Sequence, residues 1–257
     1  NINKQIHSVM TSTDDYVNLE RRKLRIEKEI YTFSSFLNDL VSLCSAKIDN
    51  TKTVDFLVNV DEKIPSALVG DYRKITQAVL NVFANAAQYT RFGSITLSIG
   101  TRKTDYGVNL NIEVSDTGVG IKPHIADKIF TAYTDSKNAV HLGLGISKQL
   151  VSLMGGFISL STEQNAGTTI KMSIPQGVNN AEPFVYINTK KVTVLMLIEG
   201  KHLKNYMDKL FTQAGTELVF CENNAEFMVE KERKSITHVI TDYGSYIYHK
   251  PYFDLLS

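Results

Sequence analysis

Asn81, Asn85 and Tyr89 recur four residues apart in Gln77–Thr90 (QAVLNVFANAAQYT). If that stretch is helical, the three side chains share one stripe. Side-chain amide oxygens are hard ligands of the kind Mg²⁺ takes. Downstream stands Asp116-Thr117-Gly118-Val119-Gly120-Ile121. A carboxylate ending a buried strand can accept a hydrogen bond from a ligand amino group. Gly118 and Gly120 let the backbone turn tightly and come close to a bound group. Both segments have plainer readings. The asparagines could be solvated helix residues, and Asp-x-Gly is common in simple turns.

Hydrophobic periodicity supplies the elements that must hold these residues. Thr32 or Ser34 can cap a helix running to about Ile48, with Phe36, Leu37, Leu40, Val41, Cys44 and Ile48 on its apolar face. Val54, Phe56, Val58 and Val60 alternate as in a half-buried strand. Pro65 and Gly70 read as breaks, and Asp71 then caps a helix to about Tyr89 with Ile75, Val79, Val82, Phe83 and Ala86 inward. Two alternating strands follow, Ile95–Ile99 and Val108–Val114, the second delivering Asp116. A short helix is expected over Ile125–Phe130. A longer one after Gly143 ends at Gly155-Gly156, and strands near Phe157–Ser161 and Thr168–Ile174 close the domain at Pro175. Gln176–Lys190 reads as a linker, although Phe184–Ile187 could dock. Beyond it strand, helix, strand, helix and strand alternate from Val192 to Thr241, which implies a parallel sheet with crossovers.

The chain has 257 residues, 43% hydrophobic and 21% charged, with a net charge of +1. That suits one or two domains, and no electrostatic argument points to nucleic acid. No apolar run is long enough to span a bilayer and no signal peptide is visible. The chain starts at Asn1 and reads as a piece of a longer protein. Cys44 and Cys221 lie far apart in apolar surroundings and are expected to be buried reduced thiols. His124, His202, His238 and His249 show no metal-ligand spacing.

The two motifs resemble the N box and first glycine box of the GHKL-type ATP-binding domain of sensor histidine kinases. The resemblance covers roughly Ile30–Pro175 and rests on several motifs in order. It implies an α/β sandwich and a site for ATP and Mg²⁺. On that basis Asn85 would be the principal Mg²⁺ ligand and Asn81 an accessory polar group. Tyr89 would pack on adenine, and Asp116 would accept from the adenine amino group. Phe130 and Tyr133 resemble the motif that hinges the ATP lid. Gly167-Thr168-Thr169 resembles the last glycine motif, where Thr169 could bond near the adenine.

Three departures weaken the phosphate end. Leu144-Gly145-Ile146-Ser147-Lys148 aligns with the end of the family's second glycine box, which puts Ala139 and His141 where its first two glycines belong; only Gly143 survives. The lid between Tyr133 and Leu142 has eight residues, about half the usual length. Gln88 replaces a lysine. Such glycines and the following helix N-terminus bring backbone N–H groups onto phosphate oxygens. A non-glycine residue at positive φ costs about 1–2 kcal/mol, and a lost charge-assisted hydrogen bond about 1.5–3 kcal/mol. The sum, about 3–5 kcal/mol, is a factor of roughly 10²–10³ in affinity. ATP and Mg²⁺ binding is therefore expected to be weak or absent, with His141, if protonated, as a partial substitute. A phosphoacceptor histidine in the family context is also missing, since His7 precedes Ser8-Val9-Met10 and reads as an ordinary helix residue.

Asp14–Glu27 resembles the end of a dimerisation hairpin, and Val192–Asp242 the first half of a receiver domain. A working receiver needs an acidic pair, of which only Glu199 stands here; Asp242 falls at the phosphoacceptor position. The implied domains are residues 1–28 (hairpin helix), 29–178 (ATPase-like), 179–190 (linker) and 191–257 (a truncated, receiver-like, flavodoxin-like α/β domain). A narrower resemblance is to the Rcs phosphorelay, whose phosphotransfer member the missing boxes fit better than its hybrid kinase. The resemblance implies a phosphorelay scaffold without autophosphorylation. Its partners would be a hybrid histidine kinase and a response regulator, and it would dimerise through the N-terminal helix as the cytoplasmic portion of an inner-membrane bacterial protein. The alternatives are an active sensor kinase and a GHKL ATPase of the gyrase or chaperone type. Against the latter, Asn81 stands where those place an acidic base.

Overall fold

The computed structural model describes residues 25–49, 52–126, 129–130, 142–185, 192–198, 201–233 and 236–241. Residues 1–24, which hold most of the expected N-terminal helix and His7, lie outside these. So do Tyr133, Ala139, His141, Glu199 and Asp242. The chain divides into two compact units, Asn1–Val185 and Tyr186–Ser257.

In the first unit, β1 (Glu29–Thr32) leads into α1 (Phe33–Ser45). Then follow β2 (Thr53–Val60), β3 (Pro65–Gly70), α2 (Tyr72–Tyr89), β4 (Phe92–Thr104), β5 (Gly107–Asp116), the short α3 (Pro123–Ala126), α4 (Leu142–Leu153), β6 (Phe157–Glu163) and β7 (Gly167–Pro183). The strands form one mixed sheet in the order β1-β3-β7-β5-β4-β2, with β6 also paired to β7. Only β2 and β4 run parallel. Alternate strand residues (Ile95, Leu97, Ile99; Leu110, Ile112, Val114; Ile170, Met172, Ile174) join Phe36 and Leu40 of α1, Ile75, Val79 and Phe83 of α2, and Ile146 and Leu150 of α4 in one core. Period two in the strands and period 3.6 in the helices both point inward, which makes this a helix-on-sheet sandwich.

The helix that matters most is held at both ends. Asp71 accepts from the Lys74 N–H at 3.1 Å through one carboxylate oxygen and from the Glu27 N–H at 3.0 Å through the other. That satisfies an orphan donor of the first turn. At the other end the Lys52 ammonium donates to the carbonyl oxygens of Ala87, Gln88 and Thr90, placing a cation where the helix dipole is negative.

Several expectations fail, among them the helix expected over Ile125–Phe130, which is Pro123–Ala126 with a turn at Ile129–Phe130. Pro65 and Gly70 do not break the chain; they bound β3. Proline fits the first residue of a strand, and at Gly70 the Gln176 side chain occupies the space a Cβ would need. Nor does the domain close near Pro175 with a linker from 179. Strand β7 pairs with β6 through Gly167–Ser173 and continues as a partner of β3 as far as Pro183. Phe184 then packs edge-on against Phe33 at 4.8 Å, and its N–H donates to the Ile64 carbonyl at 2.9 Å. Polar Asn179 and Asn180 suit this strand because its last residues are exposed. Arg25–Lys28, the described end of the expected first helix, carry no regular structure.

The second unit holds β8 (Thr193–Leu197), α5 (Lys201–Ala214), β9 (Glu217–Cys221), α6 (Asn224–Arg233) and β10 (His238–Thr241). Its sheet is parallel, in the order β10-β8-β9. Val194, Met196 and Ile198 pack against Leu203, Met207 and Phe211 of α5, while Leu195 and Leu197 pack with Phe227 of α6 and Cys221. Successive residues of β8 therefore face different helices, as in an open sheet covered on both sides. Cys44 and Cys221 are free and buried, and burial pushes the Cys44 thiol up to about 12.

Candidate functional site

Helix α2, the end of β5 and the loop after it, α4 and the start of β7 enclose a cavity of about 370 Å³. Helix α2 presents Val82, Asn85, Ala86 and Tyr89 to it, as the four-residue spacing requires. Val114, Leu144, Ile121, Ile125, Ile129 and Ile170 make the remaining wall almost wholly apolar. A mostly apolar cavity with a few polar groups is the usual form of a small-molecule site.

The polar groups are few. Asp116 lies half-buried in the wall, where its Oδ1 accepts from the Gly118 N–H at 2.8 Å. Burial lifts the Asp116 carboxyl above the ordinary aspartate range, and the N–H groups of Gly118 and Thr168 pull it part of the way back. The Asn85 side-chain nitrogen is buried and has no hydrogen-bond partner among the described residues. A buried amide N–H donor left open in an apolar cavity is costly unless an acceptor on a ligand engages it. Asn85 thus offers a free N–H donor, and Asp116 an acceptor, to the polar edge of a ligand.

Not every residue expected at the site lies on its wall. Asn85, Tyr89, Asp116 and Gly120 do. Gly118 stands behind Asp116: a Cβ there would sit 2.7 Å from the Tyr89 carbonyl oxygen and 2.8 Å from the Asp116 carboxylate. Asn81 and Gly143 face each other instead, a Cβ on Gly143 lying 3.5 Å from that of Asn81; they bring α2 and α4 together. The Ser147 hydroxyl, 2.9 Å from the Ala78 carbonyl, pins the same helices. Phe130 lies beneath the Lys148 ammonium, 5.7 Å from its ring centroid, rather than in the cavity.

Thr169 is a correction. It is Thr168 that lines the cavity, while the Thr169 hydroxyl pairs with Ser115 at 2.8 Å. Asp116 pairs with Thr168 and Ser115 with Thr169 across β5 and β7, so the two pairs point to opposite faces of the sheet. One residue of register decides which threonine meets a ligand. The sequence reading also missed Val119, Lys122 and the stripe Ile121, Ile125, Ile129; the four-residue spacing of the isoleucines was a usable signal.

The raised Asp116 carboxyl makes a pH prediction. An unfolded aspartate ionises at lower pH, so the folded protein binds the extra proton between the ordinary and the raised value, and stability falls as pH rises through that window. A ligand amino group needs the ionised form. Affinity for a ligand that donates an amino group to Asp116 is therefore expected to decline, in calorimetry, as pH falls from neutral through the raised value, that is at higher pH than an ordinary aspartate would give. Asp116→Asn flattens that profile.

Residues 70–178 match the family described as histidine kinase-, DNA gyrase B-, and HSP90-like ATPase. The chain is 32% identical over 168 residues to the aerobic respiration control sensor protein ArcB of Escherichia coli, covering 62% of this chain and 21% of that protein. It is 30% identical over 174 residues to hybrid signal transduction histidine kinase B of Dictyostelium discoideum, covering 65% of this chain and 9% of that one. It therefore spans about a fifth or less of the length of these relatives. Among solved structures, full-length ShkA in complex with AMPPNP superposes with a TM-score of 0.69 at 19% identity, covering 88% of this chain and 47% of that chain. That likeness is one of fold.

Proposed function

We propose that this protein, whose residues 70–178 match the histidine kinase-, DNA gyrase B-, and HSP90-like ATPase family, serves two-component signalling as a phosphorelay scaffold whose nucleotide site grips the base and not the triphosphate. The family binds ATP with Mg²⁺. The observation that carries the reading is an asymmetry. The base end has its acceptor Asp116, its glycine loop and an apolar wall. The phosphate end has Ala139 and His141 in place of glycines and Gln88 in place of lysine.

In this reading Asp116 orients the adenine by accepting from its amino group, and Tyr89 covers the ring at the cavity mouth, where it is 40% exposed. The apolar wall excludes water. When bound, Mg²⁺ would neutralise phosphate charge, with Asn85 as the side chain to hold it. The parallel second unit is taken as a receiver-like docking domain with Asp242 as a residual acceptor position. The N-terminal helix would dimerise, and the partners would be a hybrid histidine kinase and a response regulator. On this reading the chain is the cytoplasmic portion of an inner-membrane bacterial protein, with the Rcs phosphotransfer member as a functional parallel.

Calorimetry with adenosine, ADP and ATP, each with Mg²⁺, tests this. The expected result is weak binding near the millimolar range, with ATP gaining less than about tenfold over adenosine, that is less than about 1.4 kcal/mol from three phosphates. The second reading is an active kinase, favoured by the hybrid kinases among the relatives. Low-micromolar ATP binding that collapses in Asn85→Ala would establish it and end the scaffold reading.

A further inference from the structure

We infer that the β6–β7 turn, Thr162–Thr168, clamps the base-binding loop in place, and that Thr162 is the positioning residue of the clamp. The inference rests on the nucleotide-site reading above and deepens it. Thr162 does not touch the cavity. Its hydroxyl accepts from the Ile121 N–H at 2.9 Å and lies 3.0 Å from the Gly167 carbonyl and 3.1 Å from the Thr168 hydroxyl. One proton and two lone pairs thus tie the loop after β5 to both strands of the hairpin. Ile121 and Thr168, the two residues so joined, both line the cavity.

The turn holds the loop at a second point. The Asn165 N–H donates to the Val119 carbonyl at 2.8 Å. Asn165 does so from φ 66°, the single non-glycine residue at positive φ among those described. Asparagine tolerates that conformation better than most residues, but it still costs free energy that the surroundings must offset. Between the two hydrogen bonds lies Gly120 at φ 64°, against the Glu163 carbonyl. The loop so held also carries Gly118, the donor to Asp116. Remove the Thr162 hydroxyl and the Ile121 N–H loses its partner in a half-buried setting, so the loop, and with it the Asp116 acceptor, is free to shift.

The test uses the full chain with Thr162→Val, which keeps the shape and deletes the hydroxyl, and Thr162→Ser, which restores it. Affinities for adenosine and for ADP are expected to fall together by about tenfold in the valine variant and to return within about twofold in the serine variant. Hydrogen exchange at the Ile121 amide is expected to quicken in the valine variant while the core of α2 stays protected. A purely structural role would not make adenosine and ADP fall by the same factor with α2 protection unchanged. If the valine variant does not fold, wild-type protein still decides: adenosine should slow exchange at the Ile121 and Asn165 amides together. A valine variant that binds like wild type, or a serine variant that does not recover, overturns the clamp and leaves nucleotide binding standing. Wild-type protein that binds neither adenosine nor ADP at millimolar concentration overturns both.

Discussion

Gly120→Ala is expected to abolish detectable nucleotide binding. Gly120 sits at φ 64°, and a Cβ there would collide with the Glu163 carbonyl oxygen, 2.8 Å from its carbon and 3.2 Å from the Gln164 Cα. These are backbone atoms of a paired hairpin, so no rotamer change relieves them. The left-handed conformation costs an alanine about 1–2 kcal/mol, and the steric overlap about 1–3 kcal/mol more. Together they amount to about 2–5 kcal/mol, or roughly 30- to 4000-fold in affinity if the loop shifts to relieve it. Starting near millimolar, any such loss is out of calorimetric reach. Gly155→Ala is the control. Gly155 also has positive φ, 78°, but its Cβ would meet only the Pro175 side chain at 3.9 Å; it ends α4 with the Gly156 N–H on the Val151 carbonyl. That variant should lose thermal stability and bind ADP normally. Gly120→Ala protein that binds ADP within threefold of wild type would show that the loop is not held as described.

The second large effect is on stability. Phe83→Ala removes a fully buried ring from the face of α2 that packs on the sheet, where it meets Phe56 edge-on at 4.9 Å. Truncations of this kind cost about 3–5 kcal/mol, against a total stability of about 5–15 kcal/mol for a domain. Urea unfolding of the variant should show a lower midpoint at unchanged slope, the shift multiplied by the slope equalling that loss. Phe83 is absent from the cavity wall, which its neighbours Val82 and Ala86 line. Folded variant protein should therefore keep most of its adenosine affinity. A large loss of affinity at unchanged stability would reverse the assignment of the two faces of α2.

Helices α1, α2 and α4 were legible because their signals are local. Asp71 at the N-cap, apolar residues at helical spacing through Phe83 and Ala86, and glycines after Leu153 each act within a few residues. The alternating strands of the second unit were legible for the same reason. What stayed hidden depends on pairing with distant chain. Pro65–Gly70 looks like a break until β7 lies beside it, and Gln176–Pro183 looks like a linker until β3 does. Each strand lacks a strong pattern and is specified by its partner. The site divides the same way. Asn85, Tyr89 and Asp116 sit in contiguous motifs, whereas Thr168 displaces Thr169 only through the register of β7 on β5.

By itself the sequence determined the stripe on α2, the carboxylate at the end of β5, the glycines after it and the residues that stand in for phosphate glycines. These are properties of residue type and spacing along one element. Only the tertiary structure decided that Asn81 and Gly143 serve the contact between helices rather than the cavity. It also decided that a turn some forty residues downstream grips the Gly120 loop, Thr162 meeting Ile121 at a separation of 41. A hydrogen bond or a steric limit between such distant segments exists only once the sheet has brought them together, and no local propensity encodes it.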